Sequence, residues 1–160
     1  MTSIQIPRFG GPAVLRVVEG PSPELPGDGV RIAVKASGVC FADVMMRMGL
    51  YPEAPPLPFV PGYEVAGLVI ETGPGVLSVR PGDRVLALPR FGGYATEVVV
   101  PEAQVRPVPA RLSDEEAAAL PVSFLTAWVA LHGMARVRAG DRVLVHGAAG
   151  GVGTAAVQVA

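Results

Sequence analysis

The sequence turns on Asp141-Arg142-Val143-Leu144-Val145-His146-Gly147-Ala148-Ala149-Gly150-Gly151-Val152-Gly153. Val143, Leu144 and Val145 make a short apolar run led in by Ala139-Gly140-Asp141, the pattern expected of a buried parallel strand. The glycines that follow let the backbone turn tightly and approach another group closely. Thr154 to Ala160 then has helix-compatible composition. A strand, a glycine turn and a helix N-terminus together form an anion cradle, because free N–H groups and the helix dipole converge there. The pyrophosphate of a dinucleotide is its natural occupant. Gly151-Val152-Gly153-Thr154-Ala155-Ala156 fits G-x-G-x-x-A, and Gly147, Gly150 and Gly153 fit G-x-x-G-x-x-G. The competing reading is a tight structural turn without a ligand. The residue that reads the ribose 2′ position is expected ~20 residues further on. The sequence ends at Ala160, seven residues past Gly153.

Composition narrows the remaining possibilities. Formal charge is −1, from 13 Lys and Arg against 14 Asp and Glu, so no global field favours nucleic acid or an anionic membrane. Half of the 160 residues are hydrophobic and only 17% are charged, which argues for a packed chain rather than disorder. No apolar run reaches the ~18–20 residues of a membrane span. The first residues, Met1-Thr2-Ser3-Ile4-Gln5, lack a secretory signal pattern, so a cytoplasmic location is expected. A single cysteine permits no intrachain disulfide and no four-cysteine zinc site.

Upstream of the opening stretch, 17 prolines and 20 glycines imply many turns and short strands. Strands are expected at Ile4–Pro7, Val14–Val18, Val30–Ala36, Gly62–Glu71, Val85–Leu88 and through Val98–Val100. Phe41–Met48 reads as a helix with Val44, Met45 and Met48 on one side. Tyr51–Pro61 is too proline-dense for either and reads as a loop or strap. Ser113-Asp114-Glu115-Glu116 is a capping box opening a helix that Pro121 ends. Phe124–Met134 reads as a second helix, with Trp128 in the core. The expected architecture is a mixed α/β chain. A β-barrel-like domain spans residues 1–120, and residues 121–160 hold a linking helix and the first β-α unit of a dinucleotide-binding domain.

The order of these pieces resembles the medium-chain dehydrogenase/reductase superfamily, and most closely its zinc-independent quinone oxidoreductase (ζ-crystallin-like) branch. The resemblance rests on Gly38-Val39-Cys40-Phe41-Ala42-Asp43, Gly49-Leu50-Tyr51-Pro52, Pro61-Gly62-Tyr63-Glu64-Val65-Ala66-Gly67, Pro81-Gly82-Asp83-Arg84-Val85 and Gly92-Gly93-Tyr94-Ala95. It continues through Glu115–Leu120, Leu125-Thr126-Ala127-Trp128 and His146–Gly153. It implies a GroES-like N-terminal domain, a Rossmann domain, NADPH as cofactor (NADH being the alternative) and reduction of a quinone or activated alkene. It also implies a homodimer at full length.

The resemblance further implies that zinc is absent. Zinc-bearing members carry a cysteine at the position of Cys40 and a histidine at that of Tyr63, so the second ligand is lost here. The zinc-free branch usually has asparagine where Cys40 stands. Cys40 is therefore open to three readings: a small packing residue, a thiol lining the site, or a reactive thiolate. The resemblance makes Tyr51 the candidate donor to the oxygen that gains charge, with packing against the proline strap as the alternative. Asp43 matches the site-supporting acid, and a capping role competes. Thr126 matches a threonine near the nicotinamide. Gly147, Ala149, Gly150, Gly151, Val152 and Gly153 match the cofactor turn. Phe41, Met45, Met46 and Met48 are candidates for either an apolar pocket or core.

Three functional readings stand side by side: a quinone or enone reductase, an enoyl-thioester reductase, and a non-catalytic nucleotide-binding relative. Because the sequence stops early in the expected Rossmann domain, the isolated chain is expected to be an incomplete enzyme. Its Val143–Val145 strand and terminal helix are then expected to be poorly ordered or covered by another copy.

Overall fold

A computed structural model describes residues Met1–Ala160, which fall into two compact units, Met1–Ala119 and Leu120–Ala160.

The first unit is built on antiparallel strands. β1 (Thr2–Gln5) pairs with β2 (Arg16–Glu19) in a two-stranded ribbon. β3 (Gly29–Ser37), β4 (Val65–Thr72), β5 (Arg84–Ala87), β6 (Glu97–Pro101) and β7 (Val105–Pro107) form a second sheet in the order β6-β3-β4-β5-β7. No ladder joins β6 to β7, so backbone pairing does not close the sheet into a barrel, and each edge strand ends on a proline. The short β7 lies in a stretch without apolar alternation and was not among the expected strands.

Valines dominate the core because β-branched side chains pack well on a pleated surface. Val30, Ile32, Val65, Val69, Val85, Val98, Val100 and Val105 are all buried together. Register shifts in β3 between Arg31 and Ile32, and between Val34 and Ala36, bend this strand against β4. Gly67 sits where β4 runs close against the β3 backbone. A Cβ there would lie 2.1 Å from the Ala33 carbonyl oxygen.

α1 (Phe41–Arg47) leaves β3 through Gly38-Val39-Cys40. Its buried residues are Asp43 and Met46, whereas Phe41 and Met48 are exposed. The expected face of Val44, Met45 and Met48 is thus displaced. A helix this short turns toward the core the residues that satisfy a buried hydrogen-bond network, and Asp43 sets its rotation. α1 ends in a Schellman motif. Leu50 N–H bonds the Met45 carbonyl at 2.9 Å and Gly49 N–H the Met46 carbonyl at 3.0 Å, with Gly49 at φ +75°. Tyr51 follows directly. α2 (Asp114–Ala118) starts on the expected capping box, Ser113 Oγ accepting from Glu116 N–H at 3.1 Å.

The second unit is helical. α3 (Pro121–Trp128) runs into a π-helical turn, Val129–Met134, and α4 (Gly151–Val159) packs back on α3. Ala127, Leu131, Ala155 and Ala156 form its small core. Pro121 opens α3, as a proline can at a first helical turn.

Two expectations fail in this unit. Trp128 is exposed and lies tilted at 48° against His132, with ring centroids 4.3 Å apart, because the core face of α3 is taken by small residues. Val143–Val145 forms no strand, and Leu144 is exposed. A parallel strand draws its stability from ladders on its edges, and this unit contains no other strand. The β half of the expected β-α unit is therefore absent, while its helix is present.

Candidate active site

Asp43 is the centre of a hydrogen-bonded cluster in the first unit. It lies in the first turn of α1, is 4% exposed, and accepts from four donors. Cys40 N–H and Cys40 Sγ donate to Oδ2 at 2.9 and 3.1 Å. The Tyr94 hydroxyl also donates to Oδ2 at 3.1 Å, and Gly62 N–H donates to Oδ1 at 3.1 Å. Asp43 accepts from the Cys40 N–H at the start of α1, as the capping reading expects. The carboxylate caps the helix start and ties down two distant loops.

Those loops are shaped by glycine. Gly62 has φ +108°, and a Cβ on it would meet Tyr94 N at 2.6 Å and Gly93 Cα at 2.7 Å. Tyr94 N–H bonds the Pro61 carbonyl at 2.9 Å, and Gly93 N–H bonds the Gly62 carbonyl at 3.1 Å. The Pro-Gly-Tyr and Gly-Gly-Tyr stretches are the two halves of this close approach.

Cys40 is half-buried at the N-cap of α1. Burial, then the hydrogen bond and charge of Asp43, push its thiol up from 9.0 to about 11. Asp43 thus stands beside the sulfur without activating it, because an anionic neighbour disfavours a thiolate. The folded protein holds this proton more tightly than an unfolded chain. The group's contribution to stability is complete below about pH 9 and falls as the pH rises toward 11. We expect alkylation of Cys40 by iodoacetamide to be slow at neutral pH and to accelerate up to about pH 11. A rate already at its plateau at pH 8 would contradict this placement.

Tyr94, which carried no role in the sequence reading, is drawn in by the same carboxylate. Burial first, then the Asp43 charge, raise its phenol well above the usual range. Its pairing with Asp43 was invisible in the sequence because the two lie 51 residues apart.

Tyr51 and Tyr63 form an adjoining aromatic group. Their rings meet edge to face, with centroids 6.3 Å apart at 69°. Tyr63 is also tilted against Phe91 at 5.6 Å, and Phe91 meets Phe59 edge to face at 6.4 Å. Burial and a hydrogen bond to Tyr51 raise the Tyr63 phenol above the usual range, and Cys40 lies close enough to add to that shift. Tyr51 is half-buried and packs against the cluster of Ile6, Met46 and Phe59. No group of three or more His, Cys, Asp or Glu side chains is arranged to hold a metal ion.

Between β1 and the Tyr94 loop lies an almost wholly apolar cleft of about 480 Å³, with Ile4, Val39, Tyr94 and Ala95 among its walls.

In the second unit, Gly147 has φ +65°, and its carbonyl accepts from Gly150 N–H at 2.9 Å. A Cβ on Gly153 would lie 2.2 Å from that carbonyl oxygen, so the turn requires glycine there. α4 begins at Gly151 with no side-chain cap and no acidic residue in its first turn. Gly151, Val152 and Gly153 supply the first N–H groups of the helix, which have no intrahelical acceptor. These residues fit a phosphate group: donors without caps and without a competing anion. Gly147, Ala149, Gly150, Gly151, Val152 and Gly153 are gathered in this turn, and Thr126 is exposed on α3.

An open antiparallel GroES-like sheet with a Pro-Gly and Gly-Gly loop pair beside a helix start defines the class, and the comparisons fix the family. Residues 26–110 match the alcohol dehydrogenase GroES-like domain. The synaptic vesicle membrane protein VAT-1 homolog of Rattus norvegicus is 47% identical over 153 residues, covering 94% of this chain and 38% of the relative. The quinone oxidoreductase from Thermus thermophilus, solved also in complex with NADPH, superposes with a TM-score of 0.86 at 45% identity, covering 99% of this chain and 49% of that one. The CurK enoyl reductase superposes with a TM-score of 0.92 at 31% identity, covering 99% of this chain and 50% of that one. The chain belongs to the medium-chain dehydrogenase/reductase superfamily, in the branch of quinone oxidoreductases and VAT-1 homologues. It spans about two fifths of the rat relative and about half of each of these solved structures. No helix is long and apolar enough to cross a membrane.

Proposed function

We propose that this chain is part of a reductase that moves a hydride from NADPH to a quinone or activated alkene without zinc. The observation that carries the reading is the chemistry of the Asp43 cluster and the tyrosine pair beside it. The Cys40 thiol and the Tyr94 phenol donate their hydrogen bonds to Asp43, which leaves the Tyr51 phenol as the donor, in a group that is not a set of metal ligands. Donors of this kind stabilise an oxygen that gains negative charge as a carbonyl is reduced.

The nicotinamide supplies the hydride when bound. The residues of this chain bind and orient. The N–H groups of Gly151, Val152 and Gly153 hold the pyrophosphate, with Gly147, Ala149 and Gly150 shaping the turn and Thr126 as a further candidate contact. Tyr51 donates a hydrogen bond to the acceptor oxygen. Asp43 fixes the start of α1 and, through Gly62 and Tyr94, the loops around it. Cys40 stays a neutral thiol and lines the site.

The test is NADPH consumption by the complete gene product with a quinone, an enone and an enoyl thioester. We expect turnover with the quinone or the enone. Turnover confined to the thioester would favour the second reading, an enoyl-thioester reductase, which the likeness to the CurK enoyl reductase supports. NADPH binding without turnover on any of the three would leave a non-catalytic nucleotide binder.

A further inference from the structure

Tyr51 lies in a strap, residues 48–58, that has no helix or strand of its own. Its place is set by whatever holds the two ends of the strap. Both ends are held by one short segment, residues 6–10, which follows β1. At the far end, Ile6 N–H bonds the Phe59 carbonyl at 2.8 Å, and Phe59 N–H bonds the Ile6 carbonyl at 3.2 Å. At the near end, Gly10 N–H bonds the Arg47 carbonyl at 2.9 Å, and the Arg47 guanidinium bonds the Gly10 carbonyl in return. Each contact is reciprocal, so neither end slides without breaking two bonds. Ile6 is also fully buried at the centre of the cluster against which the Tyr51 ring packs.

Phe9 completes the near end. A Cβ on Gly49 would lie 2.9 Å from two atoms of the Phe9 ring, so the ring sits directly on this glycine. Gly49 is the left-handed residue of the turn that ends α1, and Tyr51 is two residues further on. Unwinding that turn would expose the covered face of the ring as well as break the bonds of the Gly49 and Leu50 amides. Phe9 is nevertheless 48% exposed and belongs to none of the core clusters. Its ring serves the turn rather than the core. A donor on an unheld loop samples many positions, and it aids a reaction only as far as it is kept in place.

We infer that Phe9 is a positioning residue: its ring locks the segment of residues 6–10 onto the end of α1 and so holds Tyr51 at the acceptor oxygen, a role that rests on the reductase reading only in its last step.

Hydrogen exchange of the complete gene product, read by mass spectrometry, tests the clamp without any substrate. In Phe9→Ala, the peptide carrying the Gly49, Leu50 and Ala54 amides, all hydrogen-bonded in the parent, is expected to exchange ~10-fold faster, while the β3–β4 ladder keeps its rates. Steady-state kinetics with a quinone tests the positioning role. Phe9→Ala is expected to lower kcat roughly tenfold with KM changed less than about twofold, because a small displacement of a positioned group is costly. Phe9→Tyr keeps the ring and is expected to restore both the exchange rates and kcat. Should Phe9→Ala fail to fold, Arg47→Met loosens the same end of the strap by removing the guanidinium bond to Gly10, and the same two changes are expected of it. Unchanged exchange overturns the clamp. Faster exchange with unchanged kcat, in an enzyme that Tyr51→Phe does slow, overturns the positioning role. Full activity in Tyr51→Phe would instead defeat the donor role proposed for Tyr51 and the last step with it, while the exchange rates still decide the clamp.

Discussion

Asp43→Ala is expected to cost about 3–5 kcal/mol of unfolding free energy, because several buried donors lose their acceptor at once. The carboxylate is 4% exposed and takes bonds from Cys40 N–H, Cys40 Sγ, Gly62 N–H and the Tyr94 hydroxyl. The Gly62 amide is itself buried and cannot turn to water, so it contributes most of the loss. Cys40 and Tyr94 are partly exposed and recover some solvation. Asp43→Asn preserves the shape and keeps one acceptor oxygen, but it presents an NH₂ to groups that donate, so an intermediate cost is expected. Urea unfolding followed by tyrosine fluorescence, all three tyrosines lying in the first unit, and by far-UV circular dichroism reads both. A loss under ~0.5 kcal/mol for the alanine variant, the range of ordinary surface changes, would show that the cluster is not structural. The same variant removes the charge that raises Cys40. Its thiol is then expected to ionise below about 11 but still above 9.0, because burial is the larger cause.

The second large effect is expected at Gly67. A Cβ at this position would meet the Ala33 carbonyl oxygen at 2.1 Å, its carbon at 3.0 Å and Ile32 Cγ2 at 3.0 Å. Two of these three atoms are backbone in the central pair of strands, where yielding means breaking the β3–β4 ladder. Gly67→Ala is therefore expected to cost more than ~4 kcal/mol and to leave little folded protein. Gly11→Ala serves as control, since Gly11 has φ −71° and nothing within 4 Å of its added Cβ. Its stability is expected to match the parent. Cooperative unfolding of Gly67→Ala near the parent midpoint would mean that β3 and β4 can separate without loss.

These two positions also mark how far the sequence could be read. The strands other than β7, and the Ser113 capping box, were legible because each depends on residues a few places apart. Gly67 was legible as part of a family motif, but its purpose was not, since the atom it avoids belongs to a strand more than thirty residues earlier. Asp43 was placed near the site by resemblance. Its partners lie 19 and 51 residues further on, so the sequence alone left capping and support as rivals. The apolar faces misled for a different reason. Periodicity marks residues able to be buried, and neighbours decide which of them are. Met46 won that competition in α1 while Met48 lost it, and Trp128 gave way to alanines between α3 and α4. Val143–Val145 carries a strand's composition, yet strand structure requires a second strand beside it.

The open edges of the five-stranded sheet bear on how this chain behaves at high concentration. An unpaired strand edge is a template on which a second molecule can add its own strand. β6 and β7 are short, they finish at Pro101 and Pro107, and β7 presents the exposed Arg106. Proline withholds the N–H that a docking strand would need, and the guanidinium must stay hydrated. The prolines that end β6 and β7 thus also guard these edges against a docking strand.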